Sequence, residues 1–251
     1  MRLRKIIAGL QLATVLLMGS GACTASPGEL RWAAGNLPPY GWVGSAGPQG
    51  YAYELTVLIS AKLGRPNDVT FYPWARSVRM ARQESDYGTF PLARTAEREK
   101  QFIWLISLDR IQYTFFANAD SPVDIGDLKT LKRTRVGVLR GSASLGFLVE
   151  NSFANLVQTP DYKELVHLLV AGVVDVIYGG EPMVNAALQE FGGHSTRYRR
   201  GMNLGEAGLY MAVSPTLEAA EVDRWQKAYR ELQQDGAVAR LRKKYLSPIE
   251  R

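Results

Sequence analysis

The sequence has few of the residues that bind metals or form disulfides. Its 251 residues include one cysteine, Cys23, and two histidines, His167 and His194. One cysteine cannot form a disulfide within the chain, and no cysteine or histidine pair has the spacing of a metal site. His167 lies in an apolar segment, where packing is commoner than metal binding. We therefore expect neither a metal ion nor another cofactor.

Motifs of common enzyme classes are also missing. The sequence contains no HExxH, no phosphate-binding loop ending in Gly-Lys-Ser/Thr and no GxGxxG. The segment from Gly141 to Gly146, GSASLG, resembles a nucleophile elbow, but that motif requires a glycine where Ser142 stands. These absences favour a protein that is not an enzyme.

The folded part of the chain has little excess of positive charge. The formal net charge is +6, from 30 basic and 24 acidic residues. The first 22 residues contain three of the basic residues and no acidic one, which leaves +3 for the remainder. A nucleic-acid-binding domain is expected to keep its positive excess on the folded part. The charge therefore argues against a nucleic-acid partner.

The amino terminus has the pattern of an export signal. A basic region over 1–5 precedes an apolar run over 6–18, which is shorter than the roughly 20 residues of a membrane-spanning helix. Small residues then lead to Cys23, as at a signal-peptidase site. The segment from Ser20 resembles a lipobox, so either Cys23 is lipidated or ordinary cleavage follows Ala22 or Ala25. We assign the signal peptide to 1–22, and both alternatives place the protein in the periplasm, soluble or lipid-anchored.

From Glu29 onward, strand-like and helix-like segments alternate, with no repeat and no second long apolar run. This alternation predicts an α/β fold in which helices cover the sheets. The predicted strands are 30–34, 69–72, 87–92, 111–117, 135–139 and 173–178, and the predicted helices are 51–63, 73–83, 144–151, 163–170, 216–234 and a last one through 244.

Six short segments within 29–246 carry a family resemblance. They are LPPY at 37–40, GYAYEL at 50–55, TAEREK at 95–100 followed by Phe102, the block 124–131 with RVGVLRGS at 135–142, VVDV at 173–176, and DGAVA at 235–239. In this order they resemble segments of the family-3 periplasmic solute-binding proteins, the group that includes the polar amino-acid receptors of ABC transporters.

The resemblance implies a type II periplasmic-binding-protein fold, with two lobes built on two mixed sheets that are flanked by helices and joined by two crossing strands. By analogy, lobe 1 comprises 29–115 and 213–251, and lobe 2 comprises 116–212. The crossings are expected near 115–118 and 210–213. A ligand binds between the lobes, and its contacts with both favour the closed conformation.

The resemblance also assigns ligand-binding residues, with Arg98 the foremost. Its guanidinium group matches a carboxylate in two parallel hydrogen bonds, although a surface position in the charged run is the alternative. Arg94 either adds a second cation to the cleft or pairs with an acid on the surface. In lobe 2, Ser142 and Ala143 begin a helix whose free amides would bind an anion, or Ser142 acts only as an N-cap.

Aromatic and acidic candidates complete the expected site. Tyr40, Trp42 and Trp74 would enclose the apolar part of the ligand, or they would simply pack. Amino-acid receptors carry an acid at the position of Gly180, where it pairs with the ligand ammonium group. In this sequence the acid is Glu181, one residue later, which weakens the expectation of an amino acid as the ligand.

The function implied by the resemblance is capture of a small polar, carboxylated solute for the membrane permease of an ABC importer, by a monomer that is not an enzyme. Two alternatives use the same fold. One is a periplasmic enzyme of the dehydratase kind, and the other is a ligand-sensing partner of a membrane receptor. A membrane contact is expected only through the lipid on Cys23.

Overall fold

The computed structural model describes residues 29–192 and 197–246. Within these ranges, ten strands and eight helices alternate. The strands are β1 Arg31–Ala34, β2 Trp42–Gly44, β3 Gly47–Gln49, β4 Val69–Phe71, β5 Tyr87–Ala93, β6 Ile103–Asn118, β7 Val136–Leu139, β8 Leu156–Thr159, β9 Val176–Gly180 and β10 Tyr198–Val213. The helices are α1 Tyr51–Lys62, α2 Trp74–Gln83, α3 Leu128–Leu131, α4 Ala143–Glu150, α5 Tyr162–Val170, α6 Glu181–Glu190, α7 Ala219–Gln234 and α8 Ala237–Leu246.

Two strands of 16 residues, β6 and β10, run through the middle of the molecule. The strand order is β4-β1-β5-β10-β6-β9-β7-β8, with a separate β2-β3 hairpin. β10 pairs with β5 at Leu209–Val213, and β6 pairs with β9 at Tyr113–Phe116. Each half of the molecule therefore joins a different crossing strand. Apart from these junctions and the antiparallel β2-β3 hairpin, the strand pairs of both halves are parallel.

The expected α/β binding-protein fold is confirmed. We predicted two sheets, whereas the hydrogen bonding forms one continuous ladder because β6 and β10 pair along most of their length. The ladder of β10 shifts register between Arg200 and Asn203 and again before Glu206. Since the crossing strands belong to both halves, the lobe limits stay a prediction.

Some predicted features lie outside the described residues, and others can be located within them. The proposed signal peptide, Cys23 and His194 lie outside the described residues. His167 packs edge-on against Phe191, with 5.4 Å between the ring centroids. Within 29–192 and 197–246, no helix is long and apolar enough to span a membrane. In the same ranges, no group of three or more histidine, cysteine or acidic side chains is arranged to hold a metal ion.

A buried carboxylate ties α7 to the first half of the molecule. The side chain of Glu221 is 3% exposed and accepts hydrogen bonds from Arg65, which follows α1, and from Arg224 and Trp225 on α7. The ring of Trp225 packs against Trp32 of β1, with 5.2 Å between centroids. Glu221 thus joins an ion-pair cluster to the aromatic core of this half.

Candidate functional site

A small central cavity lies where the two halves meet. Its volume is about 20 Å³, room for about one water molecule. Loops and strand ends of the first half form one wall, and the starts of α4, α5 and α6 form the other. The lining residues are Leu37, Trp74, Pro91, Ala93, Arg98, Tyr113, Leu139, Ser142, Ala143, Tyr162, Met183 and Leu209.

Arg98 is a buried cation of this cavity. It follows β5 in a turn and is 9% exposed. Its Nη2 atom donates to the carbonyl oxygen of Gly141 at 2.9 Å, and Nη1 donates to that of Ala93 at 3.4 Å. Among the described residues, no carboxylate lies within ion-pair distance of it. The guanidinium group is therefore held by neutral carbonyl groups, and the described part of the chain supplies no counter-ion.

The surroundings of Arg98 act on its charge in opposite directions. Burial lowers the pKa of Arg98, while the nearby Tyr113 and Glu97 raise it. An arginine remains protonated in proteins because its ordinary pKa is so high. The site therefore offers a permanent positive charge that has lost its hydration, which an anion would stabilise.

The turn before α4 faces Arg98 from the second half. Gly141 has φ of 72°, and a side chain there would meet Ala75 of α2 at about 3.0 Å, so the two halves touch at this glycine. The Ser142 hydroxyl group donates to the carbonyl of Leu139 at 2.7 Å and accepts from the amide of Leu145 at 3.2 Å. Ser142 therefore caps α4, and the first amides of the helix, from Ala143 on, have no partner one turn back.

Trp74 separates the central cavity from a larger outer one. It is the first residue of α2, is 4% exposed and packs over Gly35. The outer cavity has a volume of about 280 Å³ and also reaches Pro160 and Asp161 of the second half. Trp74, Leu37 and Leu139 line both cavities, so the two cavities adjoin at these three side chains.

Three other predicted residues lie apart from the central cavity. Tyr40 is buried and donates its hydroxyl hydrogen to Asp109 at 2.8 Å. The ring of Trp42 stands edge-on to that of Tyr245. Arg94 binds Glu99 on the surface, with Nε to Oε2 at 2.9 Å. This is the pairing with a surface acid that the sequence analysis gave as the alternative to a position in the cleft.

Glu181 faces a different cavity from Arg98. This α6 cavity of about 490 Å³ lies beside α6 and the crossing strands and is also lined by Tyr40 and Asp109. The Glu181 carboxylate pairs with Arg200 at 2.8 Å. The structure therefore brings together Trp74, Arg98, Ser142 and Ala143 of the predicted set, and it places Tyr40 and Glu181 at a second location.

The sequence analysis did not select eight further residues that line the central cavity. Seven of them lie on, or directly beside, segments that it described as strands, helices or family-like motifs, and that position was the available signal. Met183 lies on α6, a helix that the sequence analysis did not predict. The eight residues are Leu37, Pro91, Ala93, Tyr113, Leu139, Tyr162, Met183 and Leu209.

Comparison with known proteins identifies relatives of the whole fold and of a part of the chain. The profile of the family described as bacterial extracellular solute-binding proteins, family 3, matches residues 31–248. A membrane-bound lytic murein transglycosylase F from Nitrosospira multiformis is 33% identical over 93 residues. These residues are 37% of this chain and 18% of that protein, so the match spans less than a fifth of this relative.

Solved structures share the fold at low sequence identity. A histidine kinase sensor domain with similarity to periplasmic binding proteins has a TM-score of 0.78 at 21% identity, over 90% of this chain and 99% of that one. The substrate-binding protein of an ABC uptake transporter from Streptococcus pneumoniae, with bound histidine, has a TM-score of 0.77 at 14% identity. That match covers 87% of this chain and 92% of the other.

Proposed function

Because the chain belongs to family 3 of the bacterial extracellular solute-binding proteins, we propose that it captures a small carboxylated solute between its lobes and delivers it to the permease of an ABC importer. The family and the fold support the solute-binding role. The carboxylate and the importer are the proposed refinements.

Arg98 is the observation on which this proposal rests. It is a buried, permanently charged group that lies between the two halves, and among the described residues its hydrogen-bond acceptors are neutral carbonyl groups. A carboxylate of the solute would form charge-assisted bonds with Arg98, and the first amides of α4 would bind its other side. The anion would thereby contact both halves, and contacts of this kind favour closure.

The solute must enter while the halves are apart. A cavity of about 20 Å³ cannot contain a carboxylate with an organic body, and the halves touch at Gly141 and Ala75. On binding, the carboxylate would replace the Gly141 carbonyl group as the acceptor of the Arg98 bond. This exchange would link capture of the solute to the relative position of the halves.

The two alternative functions have less support from the site. An enzyme needs an acid or a base at the bound solute, and no carboxylate or histidine among the described residues lines the central cavity. A sensing role is compatible with the fold, because a histidine kinase sensor domain shares it. Chemical conversion of the bound solute during incubation would favour the enzyme over the carrier.

The first prediction concerns the class of solute. In a thermal-shift panel of carboxylates, their uncharged amides, sugars and polyamines, we expect carboxylates to raise Tm by about 5–10 °C at 100 times their Kd. The reason is that a ligand which binds only the native state adds its binding free energy to stability. Shifts produced only by sugars or polyamines would contradict the proposal.

Uptake by cells tests the importer. A strain of the source bacterium that lacks this gene should lose high-affinity uptake of the best carboxylate from the panel and regain it with the wild-type gene. Uptake that is unchanged in the deletion strain, despite tight binding by the purified protein, would favour the sensing alternative.

The second prediction concerns export and anchoring. We propose that the chain is exported to the periplasm and anchored there through a lipid on Cys23, the only cysteine of the chain. Mass spectrometry of protein extracted from membranes should then show an amino-terminal Cys23 with the mass of a diacylglyceryl group added. A soluble protein that begins after Ala22 or Ala25 without added mass would show ordinary cleavage.

A further inference from the structure

The central cavity contains charge of one sign only. Of its twelve lining residues, Arg98 is charged, and the others are apolar or carry a hydroxyl group. The apolar members include Leu37, Trp74, Leu139 and Met183. A solute in this cavity therefore meets one cation and an otherwise largely apolar wall.

The end of β9 carries a glycine, and the ends of two apolar side chains fill the space beside it. Gly180 closes this strand and serves as the N-cap of α6. A Cβ atom at Gly180 would lie 2.6 Å from Cδ1 of Ile111 and 2.6 Å from Cε of Met183, closer than such atoms pack. Apolar groups thus occupy the space into which a side chain at this position would project.

The adjacent acid is directed elsewhere. Glu181 is paired with Arg200 at 2.8 Å, receives a weak contact from the Thr114 hydroxyl group at 3.5 Å, and lines the α6 cavity. Glu97, on the same turn as Arg98, lines a separate cavity of about 170 Å³. Neither carboxylate belongs to the lining of the central cavity. Asp161 lines the adjoining outer cavity, where its carboxylate accepts the amide of Glu164 at 2.8 Å as the N-cap of α5.

The hydroxyl groups in the central cavity are neutral. Burial raises the pKa of Tyr113 to about 12 and raises that of Tyr162 as well, so both phenols keep their protons at physiological pH. The Ser142 hydroxyl group is already bonded to Leu139 and Leu145. These groups can bond to a polar atom, but they cannot neutralise a buried ammonium group.

From this distribution we infer that the solute is a carboxylate without an amino group, with a small apolar body. The inference rests on the proposed capture of a carboxylated solute and narrows it. The carboxylate would bind Arg98, and the body would lie among Leu37, Trp74 and Met183. An α-amino acid would bring an ammonium group to a closed cavity that has no acid to pair with it, so it is selected against.

Pairs of compounds that differ only in the amino group test this inference directly. We would titrate the purified protein by calorimetry with 4-methylpentanoate against leucine and with 3-phenylpropanoate against phenylalanine. In at least one pair, the compound without the amino group should bind about 50-fold more tightly than its amino acid. Pentanoate should also bind more tightly than glutarate, because the cavity has a single cation.

The uncharged amide 4-methylpentanamide distinguishes the proposed capture of a carboxylate from the narrower inference that the solute lacks an amino group. It should not bind measurably, since it lacks the charge that Arg98 would pair with. If the amide fails to bind but leucine or phenylalanine binds as tightly as its partner, the present inference is wrong and the proposed function remains. If the amide binds as tightly as 4-methylpentanoate, both are wrong. If none of the four compounds in the two pairs binds, or if glutarate binds more tightly than pentanoate, the inference that the solute has a small apolar body is wrong.

Discussion

Arg98→Ala is expected to weaken binding of the carboxylated solute about 1000-fold. Truncating one partner of a buried charge pair costs about 2–5 kcal/mol, and 4 kcal/mol corresponds to this factor. The loss should be large here because Arg98 is the only charged group that lines the central cavity among the described residues. Calorimetric titration with the best compound of the thermal-shift panel provides the measurement.

Three further arginine variants make the Arg98 experiment specific. Arg31→Ala removes an arginine of the same half that binds Asp86 away from the cavity, and it should leave Kd unchanged. Arg98→Lys keeps the charge but not the planar fork, so we expect intermediate affinity. Arg94→Ala should change Kd less than twofold if Arg94 only pairs with Glu99 at the surface. Undiminished affinity of Arg98→Ala would remove Arg98 from the site.

Glu221→Ala is expected to lower the free energy of unfolding by about 3–5 kcal/mol. The substitution leaves the half-buried Arg65 with only the distant Glu29 as an anion, at 3.9 Å, and it leaves the Trp225 indole N–H without its acceptor. For a protein of this length, the corresponding decrease in Tm is about 10 °C. Chemical denaturation and differential scanning calorimetry would measure the two quantities.

An exposed acid provides the matched control for Glu221. Glu99→Ala also removes a partner of an arginine, but the pair lies at the surface, so Tm should stay within about 1 °C. An equal decrease in Tm for both variants would contradict the distinction between the buried and the exposed pair.

The stabilisation by Glu221 should depend on pH. Burial alone would raise the pKa of Glu221, but the hydrogen bonds from Arg65, Arg224 and Trp225 outweigh it and hold the pKa below the usual value of 4.5. A carboxyl group with a depressed folded-state pKa stabilises the fold above its unfolded-state pKa and loses this effect as pH falls through the folded-state value. The difference in stability between wild type and Glu221→Ala should therefore be constant above about pH 5 and shrink below pH 4.5.

Elements with clear periodicity and punctuation could be predicted from the sequence. The helix α1 follows from its apolar spacing, and α2 follows from Pro73 at its start. By contrast, α6 was missed because it begins directly after two strand glycines with Glu181 and Pro182. The first half of β6 and most of β10 were also missed. Their strand character depends on long-range pairing with each other, which no local pattern shows.

The site could be predicted only in part, for a related reason. Arg98 and Ser142 lie in short segments that resemble segments of the family, and it was this resemblance that selected them; both line the central cavity. The separation of Glu181 from them depends on which way α6 leaves β9, and on the packing of Ile111 and Met183 beside Gly180. These are tertiary contacts between distant segments, so the residue types along the chain did not determine them.

The interrupted pairing of β10 determines where the molecule can bend. Between Arg200 and Glu206, the ladder to β6 shifts register twice, and two further shifts follow between Leu209 and Ala212. Bulged segments lose rungs of the ladder and bend more easily than regular ones. β9 pairs with β6 opposite Arg200 and Asn203, and β5 pairs with β10 from Leu209 onward. Among the described strands, the ribbon therefore has no third strand beside it only around 206–207, and we expect it to bend most easily there. Opening would then be a rotation about this stretch, and the cost of bending it would add to the free energy of opening.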